Sequence, residues 1–275
     1  MLKLSEPRLC AEEDLKALRE LFELSFDDNP QVTESFFRET FPMERALGIF
    51  DGEKAVSALY LLESVLRFPN GEEKKVFYVY GVSTHPDYRG KGLMKRLLSY
   101  AVSIAESLEA EGLFLVPAEK TLFSLYEQCG YKTSFVYEEK IVFKDAYKAP
   151  FRQCEEGGIS FGAYKSFVKS DCPVAVLGKG AFKSFFGFRG RDNGIVFSGK
   201  DGFLVFEKND EGVTVLELWG NGEELIGGLF EKTGVEKISL RLPCNSGEGI
   251  PFGMFYDIKK SGIPENAFFG TPYST

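Results

Sequence analysis

From Glu12 to Phe26, apolar side chains return at Leu15, Leu18, Phe22 and Phe26, the spacing of one helix face. Glu12, Glu13 and Asp14 stand in the first turn, where the helix dipole favours acids. Pro30 ends that helix, and Thr33 is placed to cap a second short one that carries Phe36, Phe37 and Phe41 and stops before Pro42. Next, ALGIF, AVSALYLLESVLRF and VFYVYGVST read as three strands joined through DGEK and PNGEEKK, an antiparallel meander. The third, Val76 to Val82, is apolar and aromatic throughout, as a central strand covered on both faces requires. Behind it, Leu93, Leu97, Ala101, Ile104 and Leu108 mark one face of a long helix, and the apolar run Gly112 to Val116 follows. A β-loop-α-β unit with parallel strands is therefore expected. A helix over Glu119 to Cys129, stopped by Gly130, and the strand YKTSFVYEEKIVF close this part near Lys144.

From about Ala146 the pattern repeats with weaker contrast. FGAYKSFVKS and AFKSFFGF read as short helices, and GIVFSG, FLVFEK and VTVLELWG as meandering strands around DG and NDEG turns. GNGEELIGGLFEKTG reads as a helix ending at Gly234, VEKISLRLP as the next strand, and FGMFYDI as a closing one. The order of elements parallels the first half without its glycine loop. Two units are expected, residues 1–145 and 146–275, with no long flexible linker between them.

Composition narrows the function classes. With 44% hydrophobic residues in a chain of 275, a sizeable core can be buried and disorder is excluded. Thirty-three basic against 41 acidic side chains give a net charge of −8, the wrong sign for a nucleic-acid binder. No apolar run approaches the roughly 20 residues of a membrane span, and MLKLSEPRLCAEED turns acidic where a signal peptide would stay apolar, so a cytoplasmic chain is expected. Cys10, Cys129, Cys154, Cys172 and Cys244 are odd in number, scattered and without a CxxC pair. Neither a disulfide framework nor a metal site follows from them, and they read as small buried hydrophobes.

The chemistry concentrates in GVSTHPDYRGKGLMKRLL, Gly81 to Leu98. Gly90 and Gly92 lie where a strand passes into a helix, a place that normally prefers side chains able to cap or pack. Bare backbone there leaves helix N-terminal amides open to an anion, and Arg89, Lys91, Lys95 and Arg96 add positive charge. An ordinary turn with a solvated basic face is the plainer reading of the same residues. The spacing fits neither the dinucleotide fingerprint G-x-G-x-x-G nor the P-loop G-x-x-x-x-G-K-[ST].

The segment resembles the acetyl-CoA signature of the GCN5-related N-acetyltransferases (GNAT), an R/Q-x-x-G-x-G/A loop after a strand end. Here it is Arg89-Gly90-Lys91-Gly92-Leu93-Met94, with Met94 in place of the usual small residue. Together with a second, weaker unit, it looks like the "enhanced intracellular survival" (Eis-like) acetyltransferases, although the chain is short for their additional sterol-carrier-like domain. The resemblance implies a mixed α/β (α+β) fold of the acyl-CoA N-acyltransferase type, a central mixed sheet flanked by helices, followed by a degenerate second domain. It implies acetyl-CoA as co-substrate, with its pantetheine arm between splayed strands against the backbone of Val82, Ser83 and Thr84.

LFSLYEQCGY, Leu122 to Tyr131, matches the family's L-Y-E-x-x-G-F/Y helix, and the resemblance makes Tyr126 the general acid for the departing thiolate. Glu119 stands where many relatives carry asparagine. No base is identified: Glu63, Tyr78, Tyr80, a water chain and the single histidine, His85, stay open, and His85 before Pro86 reads foremost as a rim or structural residue. Desolvation can also supply the neutral amine. Asp27, Asp28 and Glu34 read either as a solvated face or as a means of drawing in a cationic acceptor. The expected function is acetyl transfer to a primary amine, on a small molecule or a lysine side chain, with no nucleic acid or membrane partner. The alternative is a non-catalytic acyl-CoA-binding module. The second half is expected to wall the acceptor cleft or to make a homo-oligomer contact, and to bind no cofactor.

Overall fold

The computed structural model describes residues 4–26, 33–34, 36–41, 43–147, 155–156, 159–187, 195–199, 201–209, 212–244, 248–262 and 264–270. In chain order the first elements are β1 (Arg8–Leu9), α1 (Leu15–Ser25), β2 (Ala46–Asp51), β3 (Lys54–Arg67), β4 (Glu73–Thr84), α2 (Leu93–Ser107), β5 (Gly112–Leu115), α3 (Phe123–Glu127) and β6 (Lys132–Phe143). After them come β7 (Glu155–Glu156), α4 (Phe161–Phe167), β8 (Val174–Leu177), α5 (Lys179–Gly187), β9 (Ile195–Gly199) and β10 (Gly202–Asn209). The last are β11 (Gly212–Gly220), α6 (Gly222–Thr233), β12 (Lys237–Pro243) and β13 (Ile250–Asp257). The predicted meander is β2, β3 and β4, and the long helix begins at Leu93 as its apolar spacing requires.

The strands form one mixed sheet in the order β1-β2-β3-β4-β5-β13-β6-β12-β11-β10-β9-β7, with β8 added against the far end of β3. Two neighbouring pairs are parallel, β4 with β5 and β11 with β12, and each is bridged by a helix, α2 or α6. The predicted echo of the β-α-β unit is thus a physical repeat. Two long strands carry the sheet past the middle of the chain. β3 pairs with β2 over its first part and with β8 from Ser64 to Arg67. β6 pairs with β13 up to Tyr137 and with β12 beyond it, so the last strand in the sequence lies between β5 and β6.

Alternation along the strands sorts side chains into cores. Phe77 and Val79 face α2 with Leu97, Leu98 and Ala101, while Leu204, Phe206 and Ile238 face α6. The opposite face holds a single aromatic-rich core to which both halves contribute, from Phe22 and Tyr60 to Phe203 and Trp219. At about 1.5–3 kcal/mol for each large side chain taken out of water, this shared core is the main attraction joining the halves. Polar contacts fix its register. Arg67 donates to Glu73 at 2.7 Å and to the carbonyls of Lys165 and Val168, and Ala267 and Phe268 form backbone bonds to Ser134, Val136, Pro173 and Ala175.

Three local features differ from the sequence reading. Phe36–Thr40 is a π-type turn, whose i to i+5 spacing lets Phe36 and Phe41 meet at 6.2 Å while Phe37 stacks on Phe41 at 5.1 Å. The stretch VAVL forms β8, a strand too short to show a period. The helix expected over Glu119 to Cys129 is a 3-10 turn, Lys120–Leu122, leading into α3. Among the described residues no helix is long and apolar enough to cross a membrane.

Helix α1 is tied down by charge. Asp14 takes two 2.7 Å hydrogen bonds from Arg8 and one of 2.8 Å from the Ala11 amide. The Arg8 bonds, helped by that amide and opposed by burial, hold the Asp14 carboxyl below its ordinary range. Because the folded pKa lies below the unfolded one, the stabilisation is present above about pH 4 and is lost as pH falls through the lowered value. Asp14→Asn is expected to cost about 2 kcal/mol at pH 7. The gap to the unmutated protein should close on acidification, as read by urea unfolding at a series of pH values.

Candidate active site

Strand β4 leaves β5 early. The pair is in register only from Val76 to Tyr78 opposite Gly112 to Phe114, and among the described residues β4 continues from Val79 to Thr84 with no strand on that edge. On its other edge a bulge intervenes: Tyr60 faces Tyr80 and Ala58 faces Ser83, so Gly81 and Val82 stand opposite Leu59 alone. Gly81 has φ +60°, and a Cβ there would meet Tyr60 at 2.8 Å and Phe22 at 3.0 Å. Only glycine serves both the dihedral and the space. Past the bulge, Ser57 holds the strand end by donating to the Ser83 carbonyl at 2.9 Å and meeting the Thr84 hydroxyl at 3.0 Å.

The loop after β4 is pinned at its start. Tyr88 donates to Asp51 at 2.8 Å, and His85 caps the turn Pro86–Tyr88 by accepting the Asp87 amide through Nδ1 at 3.3 Å. Arg89 donates through Nε to the Thr84 carbonyl at 3.3 Å. Gly90 and Gly92 then adopt φ +74° and +72°, and a Cβ on either would meet nothing within 4 Å. Their bareness answers the backbone conformation and leaves open space outside it. Gly92 is the N-cap of α2 and supplies no side-chain cap, so the first amides of that helix, Leu93 to Lys95, have no side-chain acceptor. A phosphate-sized anion fits this donor set.

A cavity of about 640 Å³ joins the two features. Of the residues predicted from sequence, it is lined by Val82, Ser83 and Thr84 from β4, by Arg89, Gly90 and Gly92 from the loop, and by Leu93, Met94 and Tyr126 from the helices. Lys91 is the exception. Its ammonium turns back to the Asp87 carbonyl at 2.9 Å and over the Tyr88 ring at 4.6 Å, where it stabilises the loop. Lys95, expected from sequence to add positive charge beside the loop, lines the cavity as well, whereas Leu122 and Gln128 were not assigned by the sequence reading, although Leu122 is one turn from Tyr126. Ser25 and Phe26 at the end of α1 also line the cavity, and no local motif marks them.

Tyr126 is 6% exposed, and no hydrogen bond to its hydroxyl is formed among the described residues. Burial, with a smaller push from Cys129, raises its pKa to about 12. Behind it lies Tyr131, with ring centroids 6.0 Å apart, fully buried and with an unpartnered hydroxyl.

The base candidates are dispersed. Glu63 pairs with Arg45 at 3.3 Å away from the cavity, His85 serves as a cap, and Tyr78 and Tyr80 belong to the aromatic core. Glu119 starts the turn before α3 and accepts from Thr121. Glu34 is bound to Arg19 at 2.5 Å, while Asp27 and Asp28 lie outside the described residues. A larger groove of about 1200 Å³ runs along β6 and β13, but none of the predicted residues line it, and the Asp257 carboxylate in it is taken by the amides of Ser261 and Gly262.

Residues 6–134 match the family model described as an acetyltransferase (GNAT) domain. Among solved structures the chain is similar to a GCN5-related N-acetyltransferase from Kribbella flavida, at 17% identity and a TM-score of 0.68 over 92% of this chain and 70% of that one. It is similar to Eis1 from Mycobacterium abscessus at 15% identity and a TM-score of 0.70, covering 93% of this chain and 74% of that one. A GCN5-related N-acetyltransferase from Anabaena variabilis gives 13% identity and 0.66, over 94% and 73%. At these identities the likeness is one of fold. No curated protein matches the chain.

The two kinds of glycine should separate on mutation. Gly81→Ala, strained in φ and crowded by Tyr60 and Phe22, is expected to cost about 2–4 kcal/mol in chemical denaturation. Gly90→Ala, strained in φ but facing open space, should cost about 1 kcal/mol.

Proposed function

We propose that the protein transfers an acetyl group from acetyl-CoA to a primary amine by direct attack, a reading supported by the match of residues 6–134 to the model of an acetyltransferase (GNAT) domain. The observation that carries this is the single cavity joining the uncapped N-terminus of α2 to Tyr126. When bound, the thioester supplies the acyl group: an N–C bond forms as the C–S bond breaks, one proton leaves the nitrogen and one reaches the sulfur.

The chain's own residues divide the work. The amides of Leu93, Met94 and Lys95 would hold the pyrophosphate, with Gly90 and Gly92 keeping the approach open and Arg89 and Lys95 adding charge. The unpaired edge of β4 at Val82 to Thr84 offers ladder groups to the amides of the pantetheine arm. Tyr126, with its pKa raised to about 12, keeps its proton across the working pH range. That makes it a weaker acid than a free phenol, so its first contribution is a hydrogen bond to the departing sulfur. Transfer follows as the thiolate is itself desolvated.

The second half is read as a wall without a cofactor of its own. Its loop between β11 and α6 also contains glycine, but a Cβ on Gly220 would meet the Asp201 carbonyl at 2.1 Å, and the Asn221 amide already donates to that carbonyl. The chain itself fills the place that stays open at Gly90 and Gly92. Phe185 and Phe269, both from this half, press on Tyr78. That packing favours the second reading, an acyl-CoA-binding module whose acceptor side is closed.

Calorimetry should give one CoA per chain. Gly92→Val should weaken binding at least about tenfold with the circular dichroism unchanged. Unchanged affinity would remove the loop assignment.

Tyr126→Phe separates enzyme from binding module. CoA affinity and folding should hold while kcat falls about 10²-fold, or ~2.7 kcal/mol of transition-state stabilisation. In the unmutated protein no descending limb from Tyr126 should appear below about pH 10, because the group titrates near 12. Full activity in the phenylalanine variant would leave Tyr126 a packing residue.

A further inference from the structure

The loop between β4 and α2 is fastened across its middle at one peptide unit. The Asp87 amide donates to His85 Nδ1 at 3.3 Å, and the Asp87 carbonyl accepts from the Lys91 ammonium at 2.9 Å. Lys91 stands between Gly90 and Gly92, the two residues whose positive φ opens the backbone at the start of α2. The fastening is anchored in the sheet, because the His85 amide donates to the Val56 carbonyl of β3 at 2.9 Å. Thr84, Tyr88 and Arg89 line the cavity, and His85 does not. Its side chain therefore acts on a bound anion through the Asp87 peptide and Lys91, without contact.

An imidazole nitrogen accepts a hydrogen bond only while it carries no proton. We infer that His85 is a positioning residue of the anion-binding loop that works only as the neutral ring, so that protonating it loosens the loop and weakens the hold on the CoA pyrophosphate. This rests on the reading of the loop as the CoA site.

Two arrangements are open to the ring. Neutral, it takes the Asp87 amide and meets Tyr88 edge-on at 5.6 Å. Protonated, it gives up that amide, and the Asp87 carboxylate, 3.8 Å from Nδ1, becomes its partner. One nitrogen serves either the amide or the carboxylate of the same residue, so the exchange moves the turn. The other charges nearby gather at Tyr88 and the loop. Lys91 and, from β3, Lys54 lie 4.6 and 5.6 Å from the Tyr88 ring centre, and Asp51 of β2 takes its hydroxyl at 2.8 Å. Arg89 is held by the Thr84 carbonyl at 3.3 Å. A cationic imidazole adds a third positive charge beside Tyr88, against the ammonium that holds the Asp87 carbonyl. Loss of the cap and repulsion of Lys91 thus act in one direction, and both reach the backbone of Gly90 and Gly92. The added charge also attracts the pyrophosphate, but without contact, whereas the loop supplies the amides themselves.

The probe is 3′-dephospho-CoA, which keeps the pyrophosphate and lacks the phosphate monoester that itself titrates near pH 6. It is titrated calorimetrically at about pH 5.5 and 7.5, across the range in which an imidazole changes charge, into the unmutated protein, His85→Asn and His85→Ala. The Asn carbonyl can accept the amide two residues on and is uncharged at both pH values. Between neutral and acid pH the unmutated protein should lose at least about threefold in affinity beyond any change in His85→Asn. At neutral pH His85→Asn should bind within about twofold of the unmutated protein and His85→Ala about fivefold more weakly, as loss of a cap requires. Circular dichroism checks the fold under each condition. Equal pH dependence in the unmutated protein and His85→Asn, a rise in relative affinity on acidification, or unchanged affinity in His85→Ala overturns the inference. Failure of the folded protein to bind the probe at neutral pH overturns the CoA-loop reading, and the inference with it.

Discussion

The site exists because β4 and β5 part company after Tyr78. Two parallel strands that stayed paired would satisfy each other's amides and carbonyls and leave no edge for a ligand. What holds them apart is steric as much as it is hydrogen bonding. The extra residue at Gly81 turns the end of β4, and the rings of Tyr60 and Phe22 occupy the place a side chain at Gly81 would need. Helix α1 brings Phe22 there, and the Arg8 to Asp14 ion pair fixes where α1 begins. A partly buried ion pair, a helix and a bulge thus act in series on one opening.

The second half packs against the same core face, through Phe185 and Phe269 on Tyr78. It repeats the strand-helix-strand unit in β11, α6 and β12, with parallel pairing as in the first half. Gly220 is used there for close approach to Asp201, whereas Gly90 and Gly92 are used for a backbone conformation that faces space. The same residue type serves opposite ends, and the difference lies in what the neighbouring strand does. The aromatic side chains of α5 and of the segment around Phe269 complete the wall over Tyr78. The open, uncapped helix start lies in the first half, and rings of the second half pack on Tyr78 of β4.

Much of the site could be read from local sequence because its signals are local. A glycine pair before an amphipathic helix specifies uncapped amides, and Leu122 to Tyr131 specify a helix that presents a tyrosine. Lys91 shows the limit of that logic. It carries the right charge in the right loop, yet its side chain closes on Asp87 and Tyr88 because the intervening turn folds the chain back. Phe26 and Ser25 show the opposite limit. They lie far from the loop in sequence and reach the cavity only through the packing of α1 on the sheet.

Periodicity and turn chemistry alone determined the meander, the long helix from Leu93, the glycine-bearing loop and the order of elements in both halves, because each is a matter of neighbouring residues. Tertiary structure alone decided that β13 enters between β5 and β6, that β8 extends β3, and that Phe36–Thr40 winds as a π-type turn. It also decided that Tyr126 is buried enough to hold its proton and that rings close the face opposite α2. These outcomes depend on which distant surfaces exclude water together, and that burial has no period along the chain.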